Sequence, residues 1–476
     1  MKSTIKLQIK NMSKTNNGKF EGWGTSLCWW AHRIGYSPEL TKKSGELFFS
    51  KKGLNLNIMR YNIGGGDDPT HKHIKRTDSM VPGWLKFNNE TKEYCYDYTA
   101  DTNQLNVLKE AYKNAGENAL VEVFSNSPPY FMTKSGCTSG NKNPNHNNLK
   151  EECYTDFAEY IAHVTEYINN KLNIEVYCVS PMNEPNTDYW GALSEKQEGC
   201  HYDPGDSQNK ILTKTAKAVK SKGLKHIKIV GSDETSTKKQ LEEYLLYTEE
   251  VKGILDRVNV HTYIDDEARK LGKLMQRDNM NIWMSESDWS STSGDNAGEM
   301  GAALWLGEKI ISDINALSPS AWVIWLVIDC HRSKDGYMGN ADCGFPSLDK
   351  GYWGVAFADH DEKEIYLSKK YYGFGQFSRY IRPNDTIIHI DRHTLGAIDN
   401  TTDRITIVCV NSKKSDLNKT IDISEFKSGS GIVEVIRTSG NLKDGENWAE
   451  LPSFEYTNNT FNYTLKGNSI TTFIIK

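Results

Sequence analysis

Residues 174–186 read Ile-Glu-Val-Tyr-Cys-Val-Ser-Pro-Met-Asn-Glu-Pro-Asn, and residues 281–289 read Asn-Ile-Trp-Met-Ser-Glu-Ser-Asp-Trp. Each is a short apolar run with a carboxylate close behind it, Glu184 in the first and Glu286 in the second. Runs this short, bounded by Pro, Asn and Ser, read as buried strands. Working outward, comparable runs occur at Gly22–Leu27, Leu56–Ile63, Ala119–Phe124, Ile227–Ser232, Arg257–Tyr263 and Trp322–Asp329. Longer amphipathic segments separate them: Pro38–Ser50, Asp101–Asn114, Glu151–Asn170, Gln208–Lys222, Lys238–Val251, Asp266–Gln276 and Asn296–Leu317. Ser37 before Pro38 is a helix-start signal, because the hydroxyl caps a free amide and proline is tolerated in a first turn. Strand–helix alternation builds parallel βαβ units, and eight of them predict an α/β protein of the (β/α)8 TIM-barrel type. A doubly wound open sheet is the competing arrangement, but no G-x-G-x-x-G or phosphate loop follows any strand.

Past about Asn384 the helical period stops and short alternating runs take over, at Thr386–Asp391, Ile405–Asn411, Thr420–Ile423, Gly431–Arg437, Asn459–Leu465 and Thr471–Ile475. Asn, Asp, Gly and Ser clusters separate them, the pattern of a β-sandwich. The run Thr4–Lys10 also alternates and is expected to fold back onto that sandwich. The expected domains are therefore 1–20, an N-terminal strand joining the sandwich, 21–383, the barrel, and 384–476, the β-sandwich. A chain of 476 residues exceeds what one core usually supports, so two domains are natural.

With 37% apolar and 25% charged residues the composition is that of an ordinary globular enzyme. A net charge of -5 without a basic stripe argues against nucleic acid, and no apolar run is long enough to insert in a membrane. A monomer is expected. Met1–Phe20 is polar and has no leader-like apolar segment, which suits a cytoplasmic protein or one whose leader has been removed. Nine scattered cysteines without a C-x-x-C pair argue against a zinc framework or dense disulfides, although Cys137, Cys200, Cys330 and Cys343 lie near loops where one or two bridges could form. The anomaly is aromatic: 24 Tyr, 12 Trp and 15 Phe, many in polar loops where a sugar's C–H face could stack.

In a barrel, a residue closely following a strand sits at the C-terminal mouth, where active sites assemble. Burying a glutamate there raises its pKa and costs stability, so two of them point to function; a loop carboxylate or a buried ion pair is the bland alternative. Cleavage of a glycosidic bond with retention needs two carboxyls about 5–5.5 Å apart, one attacking as an anion and the other supplying a proton.

Asn-Glu-Pro ending the fourth strand and a second Glu ending the seventh resemble the clan of retaining hydrolases with catalytic glutamates at those positions. Within it the chain resembles glycoside hydrolase family 30. The segments that carry the resemblance are Phe20–Ser26, Leu56–Asn62, Ser125–Pro129, the two glutamate motifs and Tyr371–Pro383. Cys28-Trp29-Trp30-Ala31, Gly64-Gly65-Gly66 and Gln197-Glu198-Gly199-Cys200 look most like its β-1,6-galactanase subfamily, which acts on type II arabinogalactan side chains. The resemblance implies Glu184 as acid/base, Glu286 as nucleophile, Asn183 at the sugar 2-hydroxyl, an oligo- or polysaccharide substrate and no cofactor.

Supporting roles follow from position. Arg60 on the second strand could hold the nucleophile ionised, or be an ion pair of the barrel mouth. Tyr263 could donate to Glu286, or pack at the rim. Trp325 is a stacking floor or core. Trp29, Trp30, Trp190 and Trp289 are candidate subsite walls, and Asn126 a candidate for lining the pocket. Asp67, Asp68, His71 and His73 resemble a metal cluster but match no metal-site spacing, so a polar substrate loop is expected and no metal ligand assigned. Asp233, Glu234 and Asp329 are further acids at the mouth, the last expected to form an ion network with His331 and Arg332. The segment Gly64–Asp97, with Trp84, is the expected wall that decides internal against chain-end cleavage. Xylan, a β-glucoside and a β-fucoside are alternative substrates on the same scaffold, and a non-catalytic carbohydrate binder is a further alternative.

Overall fold

The computed structural model describes residues 3–88, 90–289, 297–337, 342 and 353–476. Eight parallel strands close into a barrel: Gly22–Ser26, Ile58–Asn62, Leu120–Phe124, Val176–Ser180, Lys228–Ser236, Leu255–Ile264, Asn281–Ser287 and Ala321–Ile324. Each pairs with its chain neighbours, and the eighth closes on the first through Ala321 opposite Gly22 and Ile324 opposite Thr25. Helices returning between strands include Thr102–Ala115, Tyr154–Glu166, Asp206–Ser221, Ala268–Arg277 and Met300–Leu317. The Ser37 cap is in place, its hydroxyl accepting from Leu40 N at 3.3 Å. Gly22 has to be glycine: its φ is +128°, and a Cβ there would lie 2.0 Å from Asn57 Oδ1.

Two antiparallel-rich sheets form the sandwich. One carries six strands in the order Thr386–Asp391, Thr394–Ile398, Ile405–Asn411, Ser469–Ile475, Gly431–Ser439 and Glu446–Tyr456. The other pairs Ser3–Lys6, Leu417–Asp422 and Thr460–Leu465. The N-terminal strand does fold back, parallel to the second of these, with Ile5 opposite Ile421. Ile5, Ile421, Val433, Phe461 and Phe473 share one core between the sheets. The helix Lys369–Ser378 joins the two bodies. Its Lys369 ammonium is buried among the Ser439, Asn441 and Glu446 carbonyls at 2.8–3.1 Å, and Trp448 Nε1 donates to Tyr372 O at 2.7 Å.

Three expectations need correction. The eighth strand stops at Ile324, and Ile328–Arg332 starts a separate three-stranded sheet with Ala356–Asp359 and Glu364–Leu367. The ion network expected of Asp329, His331 and Arg332 runs through other residues: Arg76 bonds both Asp329 and Asp78, His331 Nε2 lies 3.8 Å from Asp78 Oδ2, and Arg332 meets Asp359. Cys137 and Cys200 are free thiols, while Cys343 and the first residue of the expected helix Asn296–Leu317 lie outside the described residues.

Candidate active site

The fourth strand ends at Ser180 because Pro181 cannot donate to the ladder. The chain then turns sharply. Glu184 adopts φ +47°, a left-handed conformation that is unfavourable for a non-glycine residue. It also precedes Pro185, a position that ordinarily stays extended. What holds it there is a set of backbone bonds: Glu184 N donates to Asp233 O at 2.8 Å, and Glu184 O accepts from Trp190 Nε1 at 2.9 Å and Thr187 Oγ1 at 3.1 Å. Strain of this kind, about 1–3 kcal/mol, persists where the surroundings over-determine a side chain. Here it aims the Glu184 carboxyl across the mouth towards Glu286 on the seventh strand.

One oxygen of Glu184, one of Glu286 and one nitrogen of His261 lie within 4.8 Å of each other. His261 Nδ1 is 3.0 Å from Glu184 Oε1 and 3.6 Å from Glu286 Oε1, so the imidazole bridges the pair from below. Tyr189 donates its hydroxyl to Glu184 Oε2. Tyr263 donates to Glu286 Oε1 at 2.9 Å, and Arg60 Nη1 to Glu286 Oε2 at 3.2 Å. Arg60 is wholly buried; it also donates to Glu122 Oε1 at 2.7 Å and to Asp233. Arg257 Nη2 meets Glu122 Oε2 at 2.6 Å, and His261 Nε2 lies 3.2 Å from Asp233 Oδ1, in ion-pair range but off the axis of a hydrogen bond. Three cations thus face four carboxyls. One proton on the Glu184–Glu286 pair brings this buried cluster to charge balance.

The electrostatics agree. Burial opposes a charge on His261, but Glu286, Asp233 and Glu184 around it raise it to about 10. Burial also works against Asp233, and Arg60 with His261 outweighs it, holding that carboxyl well below the carboxylate range. Burial and the neighbouring Glu184 and Asp233 charges push Glu286 up to about 7, against the pull of His261 and Arg60. Burial acts on Glu184 too, yet its bonds from His261 and Tyr189 keep it below its ordinary value. Two carboxyls this close titrate as one unit, so the pair keeps its last proton up to about 7.

A cavity of about 430 Å³ opens over the pair, within the range of small-molecule sites. Of the candidate residues, Asn183, Tyr263, Trp29, Trp289 and Trp325 line it, with Trp289 56% exposed. Asn183 Oδ1 is buried there without a hydrogen-bond partner. The structure does not bring the others to this wall. Trp30 is core, donating Nε1 to Ser26 O at 2.8 Å and packing on Phe48. Trp190 stands behind Glu184, and Asn126 is buried outside the cavity lining. Arg60 acts through Glu286 rather than facing the cavity. Trp84 is fully buried against Tyr98 and Tyr167 and forms no wall of the cleft. Glu234 faces Gln208 and Asn186 N, away from the pair.

Residues not anticipated are His261, Tyr189, Trp353 and Arg76. His261-Thr262-Tyr263 alternates on the sixth strand, so a Tyr expected at the mouth puts His261 on the same face, a signal available in the sequence. Tyr189, Trp353 and Arg76 come from irregular loops, where no period exists to read. Arg76 lines the cavity, bonds Asp329 Oδ1 at 2.9 Å and lies 4.8 Å over the Trp29 ring.

Known proteins resemble this chain in sequence and in fold. The chain is 26% identical over 483 residues to an endo-beta-1,6-galactanase of Hypocrea rufa, a match covering 96% of this chain and 92% of that protein. It is 26% identical over 530 residues to an exo-beta-1,6-galactobiohydrolase of Bifidobacterium longum subsp. longum, covering 86% of this chain but spanning only 34% of that longer protein. The catalytic domain of the GH30 xylanase C from Talaromyces cellulolyticus superposes with a TM-score of 0.74 at 16% identity over 100% of both chains. The model of O-glycosyl hydrolase family 30 matches residues 4–297. A closed barrel, a side sandwich and a family match over more than half the sequence lead to one conclusion: this chain belongs to glycoside hydrolase family 30, and it is a glycoside hydrolase.

Proposed function

We propose that this protein hydrolyses β-1,6-linked galactan, or oligosaccharides derived from it, by double displacement with Glu286 as nucleophile and Glu184 as acid/base. The observation that carries the mechanism is the separation of the two carboxyls, with oxygens within 4.8 Å. Retention requires about 5–5.5 Å between the carboxyls, whereas inversion leaves about 6.5–9.5 Å for a water. The two curated relatives named for β-1,6-galactan support the linkage. We assign catalysis to residues 21–383, with 1–20 and 384–476 completing the sandwich.

In the first step Glu286 attacks the anomeric carbon while Glu184 gives its proton to the departing oxygen. Once Glu286 is esterified its charge is gone, the repulsion that kept a proton on the pair vanishes, and Glu184 becomes a base for water. Arg60 and Tyr263 stabilise Glu286 as an anion and as the leaving carboxylate of the second step. The proton has to reside on Glu184 at the moment of attack, and His261, within reach of both carboxyls, lies on the route between them. Asn183 offers its unpartnered amide oxygen to a sugar hydroxyl, and Trp29, Trp289 and Trp325 offer faces for stacking.

Two measurements test this reading. Azide should rescue Glu184→Ala on an activated aryl β-galactoside and give a glycosyl azide of retained configuration; an inverted azide from that variant would exchange the two roles. Digestion of debranched type II arabinogalactan should release galacto-oligosaccharides, a ladder marking internal cleavage and a single small product chain-end cleavage. Turnover of xylan or a β-glucan in preference to galactan would overturn the substrate.

A further inference from the structure

A second cluster of chemically active side chains lies outside the cavity of the two glutamates. Asp67, His71 and His73 come from the loop after the second barrel strand, and Cys137 from the loop after the third. The sequence spacing alone suggested a polar substrate loop, because the fourth member is 64 residues from His73 and only the fold brings it in. Asp67 Oδ2 lies 3.1 Å from His71 Nδ1 and 3.5 Å from His73 Nδ1, and Cys137 Sγ lies 3.6 Å from His73 Nε2. One donor atom from each of the four falls within 4.8 Å of the other three. Around a tetrahedral zinc, with bonds of about 2.0–2.3 Å, ligand atoms stand about 3.3–3.6 Å apart. Small side-chain rotations span the difference.

The surroundings are those of a built site. Cys137 is 1% exposed; its sulfur accepts from Leu193 N at 3.4 Å and lies 3.1 Å from the Ser139 hydroxyl oxygen, so backbone and side chain fix its position. Asp67 is oriented through its other oxygen, Oδ1, which accepts from Thr138 N at 3.0 Å. Such outer hydrogen bonds are the usual support of metal ligands. His73 Nδ1 is buried and makes no hydrogen bond although it lies 3.5 Å from Asp67 Oδ2, a polar pair that a cation would satisfy. One thiolate, two imidazoles and one carboxylate suit zinc, not the oxygen-seeking calcium or magnesium.

We propose that Asp67, His71, His73 and Cys137 form a four-coordinate structural zinc site that clasps the second and third βα loops together at the rim of the barrel. With all four positions filled by protein, the metal has no open face for catalysis. Its consequence for the active site is positional: Arg76, three residues beyond His73, reaches the catalytic cavity and holds Asp329. This inference is independent of the roles assigned to Glu184 and Glu286.

The test uses the full chain without a histidine tag, stripped by chelator under reducing conditions and titrated with Co2+ alone. One cobalt per chain is expected, with intense tetrahedral visible bands and a thiolate-to-metal charge-transfer band, all erased by one equivalent of Zn2+. Cys137→Ser should lose the charge-transfer band, and His73→Ala should weaken zinc binding by at least about 100-fold, at or beyond the upper end of what losing an outer partner costs. Glu286→Gln should bind metal as the parent does. Circular dichroism of each variant controls for folding. Substoichiometric cobalt, a spectrum without the thiolate band, an unchanged affinity in His73→Ala, or loss of binding in Glu286→Gln would each overturn the proposal, the last by moving the ion to the Glu184–His261–Glu286 trio.

Discussion

Replacing Tyr263 by Phe removes one hydroxyl and little else, since the ring stays packed near Trp353. The lost bond is the 2.9 Å donation to Glu286 Oε1. A hydrogen bond to an ionised group is worth about 1.5–3 kcal/mol. At 1.36 kcal/mol per pKa unit, the cost of ionising Glu286 rises by about 1–2 units. In the intact protein the pair loses its last proton near 7, so activity, which needs one proton on the pair, falls as pH rises through about 7. The sign is then fixed: in Tyr263→Phe that alkaline limb moves to higher pH by about 1–2 units. The peak falls as well, because the productive form carries its charge on Glu286. The full loss would be about 100-fold, and the expected loss is nearer tenfold, since the carboxylate gives up part of its charge in the transition state. The assay is kcat/KM on a β-1,6-galacto-oligosaccharide across the acid to mildly alkaline range. A fall in the peak with an unmoved limb, or a limb moving down, would refute the assignment of Tyr263 to Glu286.

Tyr189→Phe acts on the other carboxyl: losing a donor to Glu184 should move the acid limb of the same profile up by about one unit and narrow the bell. Arg60→Met leaves Asp233, Glu122 and Glu286 without their shared cation, and chemical denaturation should show about 3–5 kcal/mol of lost stability alongside loss of activity. Gly199→Ala places a Cβ 2.1 Å from the Trp190 ring that props the Glu184 carbonyl, so kcat should drop with a smaller change in KM, while an unchanged kcat would show that Trp190 does not position Glu184. Ile5→Ala should cost about 2–5 kcal/mol locally and raise hydrogen exchange along Leu417–Asp422, leaving the barrel amides unmoved.

Strands were the most legible elements, for a physical reason. A barrel strand is buried on both faces, so its composition departs sharply from the helices around it. Thr386–Asp391 and Ile405–Asn411 have the expected limits because alternation and turn residues both mark them. The helix Lys369–Ser378 carries two glycines and four aromatics, a poor helical signal. It exists because Gly373 lets Ala303 approach and Gly375 lets Trp448 lie against it, contacts decided in three dimensions. The carboxyl pair could be read because position after a strand specifies place in a barrel. Trp30 and Trp190 could not be separated from Trp29 and Trp289, because a tryptophan in a mouth loop has the same composition whether it faces the cleft or the core. Cys137 illustrates the same limit: its partners are set by loop geometry, which leaves no period in the chain.

The parallel pairing of Ser3–Lys6 with Leu417–Asp422 also sets a schedule for synthesis. Ser3 leaves the ribosome long before its partner Lys419 exists, and at about 5–20 residues per second it waits roughly 20–80 s. Throughout that interval Ile5 and an unpaired strand edge are open to other nascent chains. The barrel can assemble around its own contacts meanwhile, but the satellite body cannot close until its last strand, Ser469–Ile475, has been made. Slower elongation or crowded polysomes should therefore harm yield through this first strand, even though it contributes no atom to the cleft.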